Sequence, residues 1–184
     1  MTQIRPLTEA DRAEVERLIT THFSDSDSYT VVLNNESSGR YVRVAESNGD
    51  IVGVMALTAY SSQRDVAQAM HLIDTVNPVP AAETYGLVHM GYIAAEQTGE
   101  GIGGMLLHRL HNLGEQHGID AFVSDAWFHG GPDTPKYLLT NHGYEIVFKK
   151  SIAGYSDTEC TKCPDECVCE AALAVRLRSS PTEL

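Results

Sequence analysis

An α/β fold with a twisted, mostly antiparallel sheet flanked by helices follows from three features of the 184-residue sequence. Two apolar runs, Tyr41 to Glu46 and Ile51 to Tyr60, flank Asn48-Gly49, the dipeptide that best fills a two-residue hairpin turn. A later extended run, Leu87 to Ala94, passes through Thr98-Gly99-Glu100-Gly101-Ile102-Gly103-Gly104 into a strongly helical stretch from Met105 to His117. Tyr144 to Ile152 and Ala171 to Arg178 then read as two closing strands. The length fits one domain, residues 1–184, large enough to bury a core without cross-links.

The remaining elements follow in order. Gln3 to Pro6 is predicted as the first strand, after which Thr8 and Asp11 form a capping box ahead of Ala13, Val15, Leu18 and Ile19. Ser24 to Arg40 is polar and turn-rich. Ser61 to Glu83, with Asn77-Pro78 and Pro80, reads as an insertion holding a short strand or helix around Ala67 to Ile73. Beyond the glycine turn, Ile102, Met105, Leu106, Leu110 and Leu113 recur at helical spacing until Gly118 stops the helix. Such a stripe is core-facing amphipathicity. Ile119 to Ser124 forms the next strand, and Pro135 to His142 a short helix stopped by Gly143.

Twenty-five acids face 13 bases, for a formal charge of −12. That field repels phosphate backbones, so a nucleic-acid partner is not expected. The lysine-poor, carboxylate-rich composition resembles that of halophilic proteins, in which concentrated salt shortens the Debye length and relieves self-repulsion; an ordinary acidic protein is the other reading. No apolar stretch reaches the roughly 20 residues of a membrane span, and the amino terminus lacks the apolar core of a signal peptide. A cytoplasmic protein with no membrane partner is expected.

Glycines at 99, 101, 103 and 104 permit positive φ and remove the Cβ atoms that would keep an anion from the amides. The helix that follows contributes N–H groups without intrahelical partners and the positive end of its dipole, which suits a pyrophosphate. A P-loop would require Gly-Lys-Ser or Gly-Lys-Thr, and a dinucleotide fingerprint would sit near a first parallel strand. Neither pattern fits. By itself the turn is also compatible with a tight strand-to-helix connection that binds nothing.

The run from Gly91 through Leu107 resembles the signature of the GNAT superfamily of acyl-CoA-dependent N-acetyltransferases, in which a strand leads through Arg or Gln, two variable residues, Gly, one variable residue and Gly or Ala into a Leu-rich helix. Here Thr98 stands at the usual Arg or Gln position, Gln97 lies one place early, and the acid Glu100 stands where a basic residue is frequent. The resemblance implies the GNAT fold, with acetyl-CoA as co-substrate. It implies that the pyrophosphate lies on Thr98, Gly99, Glu100, Gly101, Ile102, Gly103 and Gly104, and the thioester along Gly91, Tyr92 and Ile93, whose backbone supplies an oxyanion donor.

Acetyl transfer to an amine further needs a base and an acid. Strand alternation places His89 on the face of Leu87, Gly91 and Ile93, beside the expected acetyl group, and an imidazole titrates near neutrality. The other reading of His89 is a half-buried histidine hydrogen-bonded within the sheet. His71, His129 and His142 read as ordinary surface or loop residues. The family's usual acid, a Tyr four residues before a glycine, falls on Leu139; Tyr137, Tyr92, Tyr155 and water are the alternatives.

All four cysteines, Cys160, Cys163, Cys167 and Cys169, lie within ten residues between the last two strands. Cys-x-x-Cys followed by Cys-x-Cys can close on one tetrahedral, structural zinc inside that hairpin. An iron–sulfur centre, a redox dithiol and disulfides are the alternatives. The function expected is therefore N-acetyl transfer from acetyl-CoA to a primary amine by direct attack; a non-catalytic acyl-CoA sensor or interaction module with a zinc knuckle is the alternative. The partner is a small-molecule or peptide amine, with a homodimer left open.

Overall fold

The computed structural model describes residues 1–23, 31–73, 78–131, 134–152 and 166–178. Seven strands form one sheet: β1 (Thr2–Pro6), β2 (Arg40–Ser47), β3 (Asp50–Tyr60), β4 (Tyr85–Ile93), β5 (Ala121–Phe128), β6 (Glu145–Ser151) and β7 (Glu170–Leu177). Their order across the sheet is β1-β2-β3-β4-β5-β7-β6, and only the β4–β5 pair is parallel. A parallel neighbour needs a crossover, and α3 (Ile102–Gln116) provides it. The expected β2–β3 hairpin is present, with Asn48 at φ 56° and Gly49 at φ 94°.

The other helices are α1 (Arg12–Phe23), α2 (Gln63–Ala69) and α4 (Lys136–Asn141). The turn into α1 is fixed by Asp11, whose carboxylate accepts the Thr8 amide at 2.8 Å and pairs with Arg5 at 2.7 Å. That guanidinium holds the Asp11 carboxyl well below the usual carboxylate range. The insertion does contain a helix, but α2 begins at Gln63 because Ser62 caps it, its side chain accepting the Asp65 amide; only its end overlaps the predicted 67–73.

Both sheet faces are covered. Ile102, Leu106, Leu107 and Leu110 of α3, with Leu139 of α4, pack on Met55, Leu57, Val88 and Phe122. On the opposite face Val15 and Ile19 of α1 pack on Val44, Val54, Ala56, Met90 and Tyr92, while Val66 and Ala67 of α2 pack with Leu87, Val123 and Leu173. Gly114 allows α3 to approach this closely, since a Cβ there would lie 2.6 Å from the Phe122 ring. Among the described residues, no helix is long and apolar enough to cross a membrane.

Candidate active site

β4 and β5 are paired only from Tyr85↔Ala121 to Leu87↔Val123. Past that point β5 continues against β7, and β4 continues against β3. The sheet therefore opens between the two parallel strands, and among the described residues no strand pairs with the β5-facing edge of β4 beyond Leu87.

A bulge reshapes β4 just there. Val54 faces Tyr92 and Ala56 faces His89, so Met90 and Gly91 together oppose the single residue Met55. Met90 takes φ 53°, an uncommon conformation for an unbranched bulky residue outside turns. The extra residue inverts the alternation expected from sequence. Leu87 and His89 lie on the α1/α2 face, and so do Met90 and Tyr92, which pack with Val54 and Ala56. Gly91 and Ile93 lie on the α3 face, where a Cβ on Gly91 would meet Met55 at 3.4 Å and Ile93 packs with Gly103. His89 thus does not share a face with Gly91 and Ile93, because strict two-residue alternation fails at a bulge.

His89 instead lines a cavity of about 230 Å³ with Arg40, Thr58, Tyr60, His71 and Asp125. Its Nε2 lies 2.9 Å from Thr58 Oγ1 on the neighbouring strand. Burial pushes the imidazole down to about 4, with His71 adding to the effect, so the ring is neutral at physiological pH. Asp125, on β5 across the opening, accepts the amides of His71 and Leu72 on Oδ2 at 2.5 and 2.9 Å. Burial raises its carboxyl while those two amides oppose the shift. Arg40, Thr58, Tyr60 and Asp125 carry no sequence motif; cross-strand register and the β4–β5 opening bring them together. His71 is exposed but belongs to this cavity.

The glycine turn forms as expected between β4 and α3. Gly99 has φ 91° and Gly101 φ 78°, and at both a Cβ would meet open space. Among the described residues, the amides of Ile102, Gly103 and Gly104 have no acceptor, as befits the first turn of a helix. Thr98 and Glu100 are exposed. Gly103 and Gly104 serve packing as well: Cβ atoms there would lie 3.2 Å from Leu138 and 3.1 Å from the His142 imidazole. His142 also ends α4, its Nδ1 being 2.7 Å from the Leu138 carbonyl oxygen.

Leu139 is buried in the α3-side core. Tyr137 is exposed and lines a second cavity of about 510 Å³ at the end of β5, with His129, Lys136 and Glu170. Tyr155, Cys160 and Cys163 lie outside the described residues. Of the other two cysteines, Cys169 is buried and Cys167 half-buried just before β7. Among the described residues, no three His, Cys, Asp or Glu side chains form a metal-ligating group.

No family model matches the sequence, and no curated protein matches it. Solved structures do match in fold. A GNAT-family acetyltransferase from Streptococcus pneumoniae is 17% identical with TM-score 0.65, the match covering 97% of this chain and 100% of that one. A ribosomal-protein-alanine N-acetyltransferase from Brucella melitensis is 15% identical with TM-score 0.61, covering 96% and 99%. A GNAT-family acetyltransferase from Elizabethkingia anophelis with acetyl-CoA bound is 14% identical with TM-score 0.56, covering 96% and 98%. The mixed, mostly antiparallel seven-stranded sheet with its flanking helices has the GNAT fold.

Proposed function

We propose that this chain is an acyl-CoA-dependent N-acetyltransferase that moves an acetyl group from acetyl-CoA to a primary amine. One observation carries this reading: β4 parts from β5 after Leu87↔Val123, and the same strand carries His89 into the cavity it shares with Asp125 of β5 and then leads into the turn whose Ile102, Gly103 and Gly104 amides lack an acceptor among the described residues. The amides suit a pyrophosphate, and the edge of β4 where it parts from β5 suits a pantetheine arm and a developing oxyanion. That the solved structures sharing the fold are acetyltransferases supports the reading and does not favour a non-catalytic module.

In this reading acetyl-CoA supplies the thioester. His89 is the base: in the tautomer whose Nε2–H donates to Thr58 Oγ1, 2.9 Å away, the Nδ1 lone pair is left to take a proton. An imidazole pushed down to about 4 is a far weaker base than an alkylamine, so His89 accepts the proton only as the amine nitrogen becomes cationic on attack. Asp125 receives the amine by charge and hydrogen bond. Water protonates the leaving thiolate, since Leu139 has no hydroxyl and is buried.

We also propose that Cys160, Cys163, Cys167 and Cys169 hold a structural zinc in the β6–β7 connection, and that the acidic composition is an adaptation to salt. Elemental analysis of the reduced protein tests the first: zinc that is lost on Cys167→Ser supports it, and zinc-free protein refutes it. Acetyl transfer is tested by thiol release from acetyl-CoA with an amine panel at low and high salt. Amine-dependent thiol release with an acetylated product is expected; none with any amine overturns the assignment.

A further inference from the structure

We infer that the acceptor is a small amine bearing a carboxylate, an α-amino acid or similar zwitterion, with its carboxylate on Arg40 and its amine between His89 and Asp125. This rests on the acetyl-transfer reading above. The cavity walls are oppositely charged. Arg40 lies on β2, paired in register with Thr58, which is in turn opposite Leu87 on β4; Asp125 lies on β5 beyond the opening. A cation and an anion thus stand at opposite ends of one cavity, with His89 between them.

Five arginines, Arg5, Arg12, Arg17, Arg43 and Arg176, each engage a carboxylate, as a chain of 25 acids and 13 bases makes easy. Arg40 does not. It is half-buried and, among the described residues, its side chain reaches only the Ser38 hydroxyl at 3.3 Å. A planar guanidinium without an acid partner matches a carboxylate by two parallel hydrogen bonds. At the other end the His71 and Leu72 amides both fall on Asp125 Oδ2, and a carboxylate, with about four acceptor sites, has capacity beyond them for an ammonium group. The volume of about 230 Å³ is below the ~300 Å³ at which pockets for drug-sized ligands begin, which favours a small acceptor.

The chemistry balances. The ammonium group sheds one proton to solvent before reaction, and the neutral nitrogen attacks the thioester carbonyl. The C–N bond forms and the C–S bond breaks; the second amine proton passes to His89 and on to solvent, and the thiolate takes a proton from water. The products are an N-acetylated acid, free thiol and one net proton.

The test pairs each common amino acid with its carboxamide, which keeps the size and removes the charge. For the best acceptor, kcat/KM should favour the acid about tenfold or more. Arg40→Gln should bring that ratio to about one, and Arg40→Lys should restore part of it. An undiminished ratio in Arg40→Gln, or equal use of acid and amide by the wild-type protein, overturns the inference. Acetyl-CoA binding is measured separately by calorimetry, so its absence marks failure of the transferase reading alone. Acceptor binding is then read directly from the His89 imidazole resonances with the same pairs and variants. No panel member binding, or no preference for the acid, overturns the inference in that case too.

Discussion

Thr58 holds His89 by Nε2 while burial keeps the ring neutral, so removing either side chain should act on turnover more than on cofactor affinity. His89→Ala is expected to lower kcat by a factor on the order of 10² to 10⁴ with acetyl-CoA affinity nearly unchanged, as measured by steady-state kinetics beside calorimetry. Thr58→Val should give a smaller loss with an altered pH profile, since it removes the hydroxyl that contacts His89 Nε2. A second consequence is thermodynamic. His89 is pushed down to about 4 and His111, buried beside Phe122 with Tyr144 Oη 2.8 Å from its Nε2, to about 3; an ordinary histidine titrates at 6.5. Between about pH 6.5 and 4 the unfolded chain therefore binds protons that the folded chain refuses. Stability should fall as pH drops through that window, by up to ~1.4 kcal/mol per pH unit for each histidine. His89→Gln should flatten part of that slope in urea titrations. At this scale the sequence was partly legible: His89 was visible as a strand histidine, but its face was not. Alternation holds only without a bulge, and no residue type marks Met90 as one.

Among the elements, the strand-turn-helix junction was the most legible, because positive φ at Gly99 and Gly101 and an unpaired helix start are written in the glycine spacing itself. The two later glycines carry a role that spacing does not reveal. Gly103 and Gly104 let α3 meet Leu138 and His142, partners separated from them by more than thirty residues. Gly103→Val should accordingly cost stability through overpacking against α4, ~1–3 kcal/mol, besides any effect on acetyl-CoA. Gly101→Ala meets open space but keeps φ 78°, so it should cost about 1 kcal/mol of backbone strain without a clash. Denaturant melts of the two variants, with and without acetyl-CoA, separate packing from ligand effects. If Gly103→Val melts like wild type, the α3–α4 contact is not tight. The hairpin turn and the capping box were legible for similar local reasons. The start of α2 was less so, because Ser62 as a cap outweighs the weak apolar periodicity that follows it.

For the molecule as a whole, a charge of −12 makes self-repulsion a global term. The melting temperature should rise as salt goes from ~0.1 M to ~1 M and the Debye length falls from ~10 to ~3 Å; no rise would remove the basis for salt adaptation. The order of elements and the antiparallel β2–β3 pair could be read from patterning, the latter from its Asn48-Gly49 turn; which pair is parallel could not. The cavity could not, for Arg40, Thr58, His89 and Asp125 come from four strands and meet only through register and the β4–β5 divergence. Acetyl-CoA binding in that divergence underlies everything proposed for the chain, and calorimetric titration with acetyl-CoA at high salt tests it most directly. A single saturable site per chain, with the β4 amides from Val88 to Ile93 and those of Ile102 to Gly104 shifting in NMR spectra, is the predicted result. Absence of binding, or binding that leaves those amides unperturbed, would contradict it.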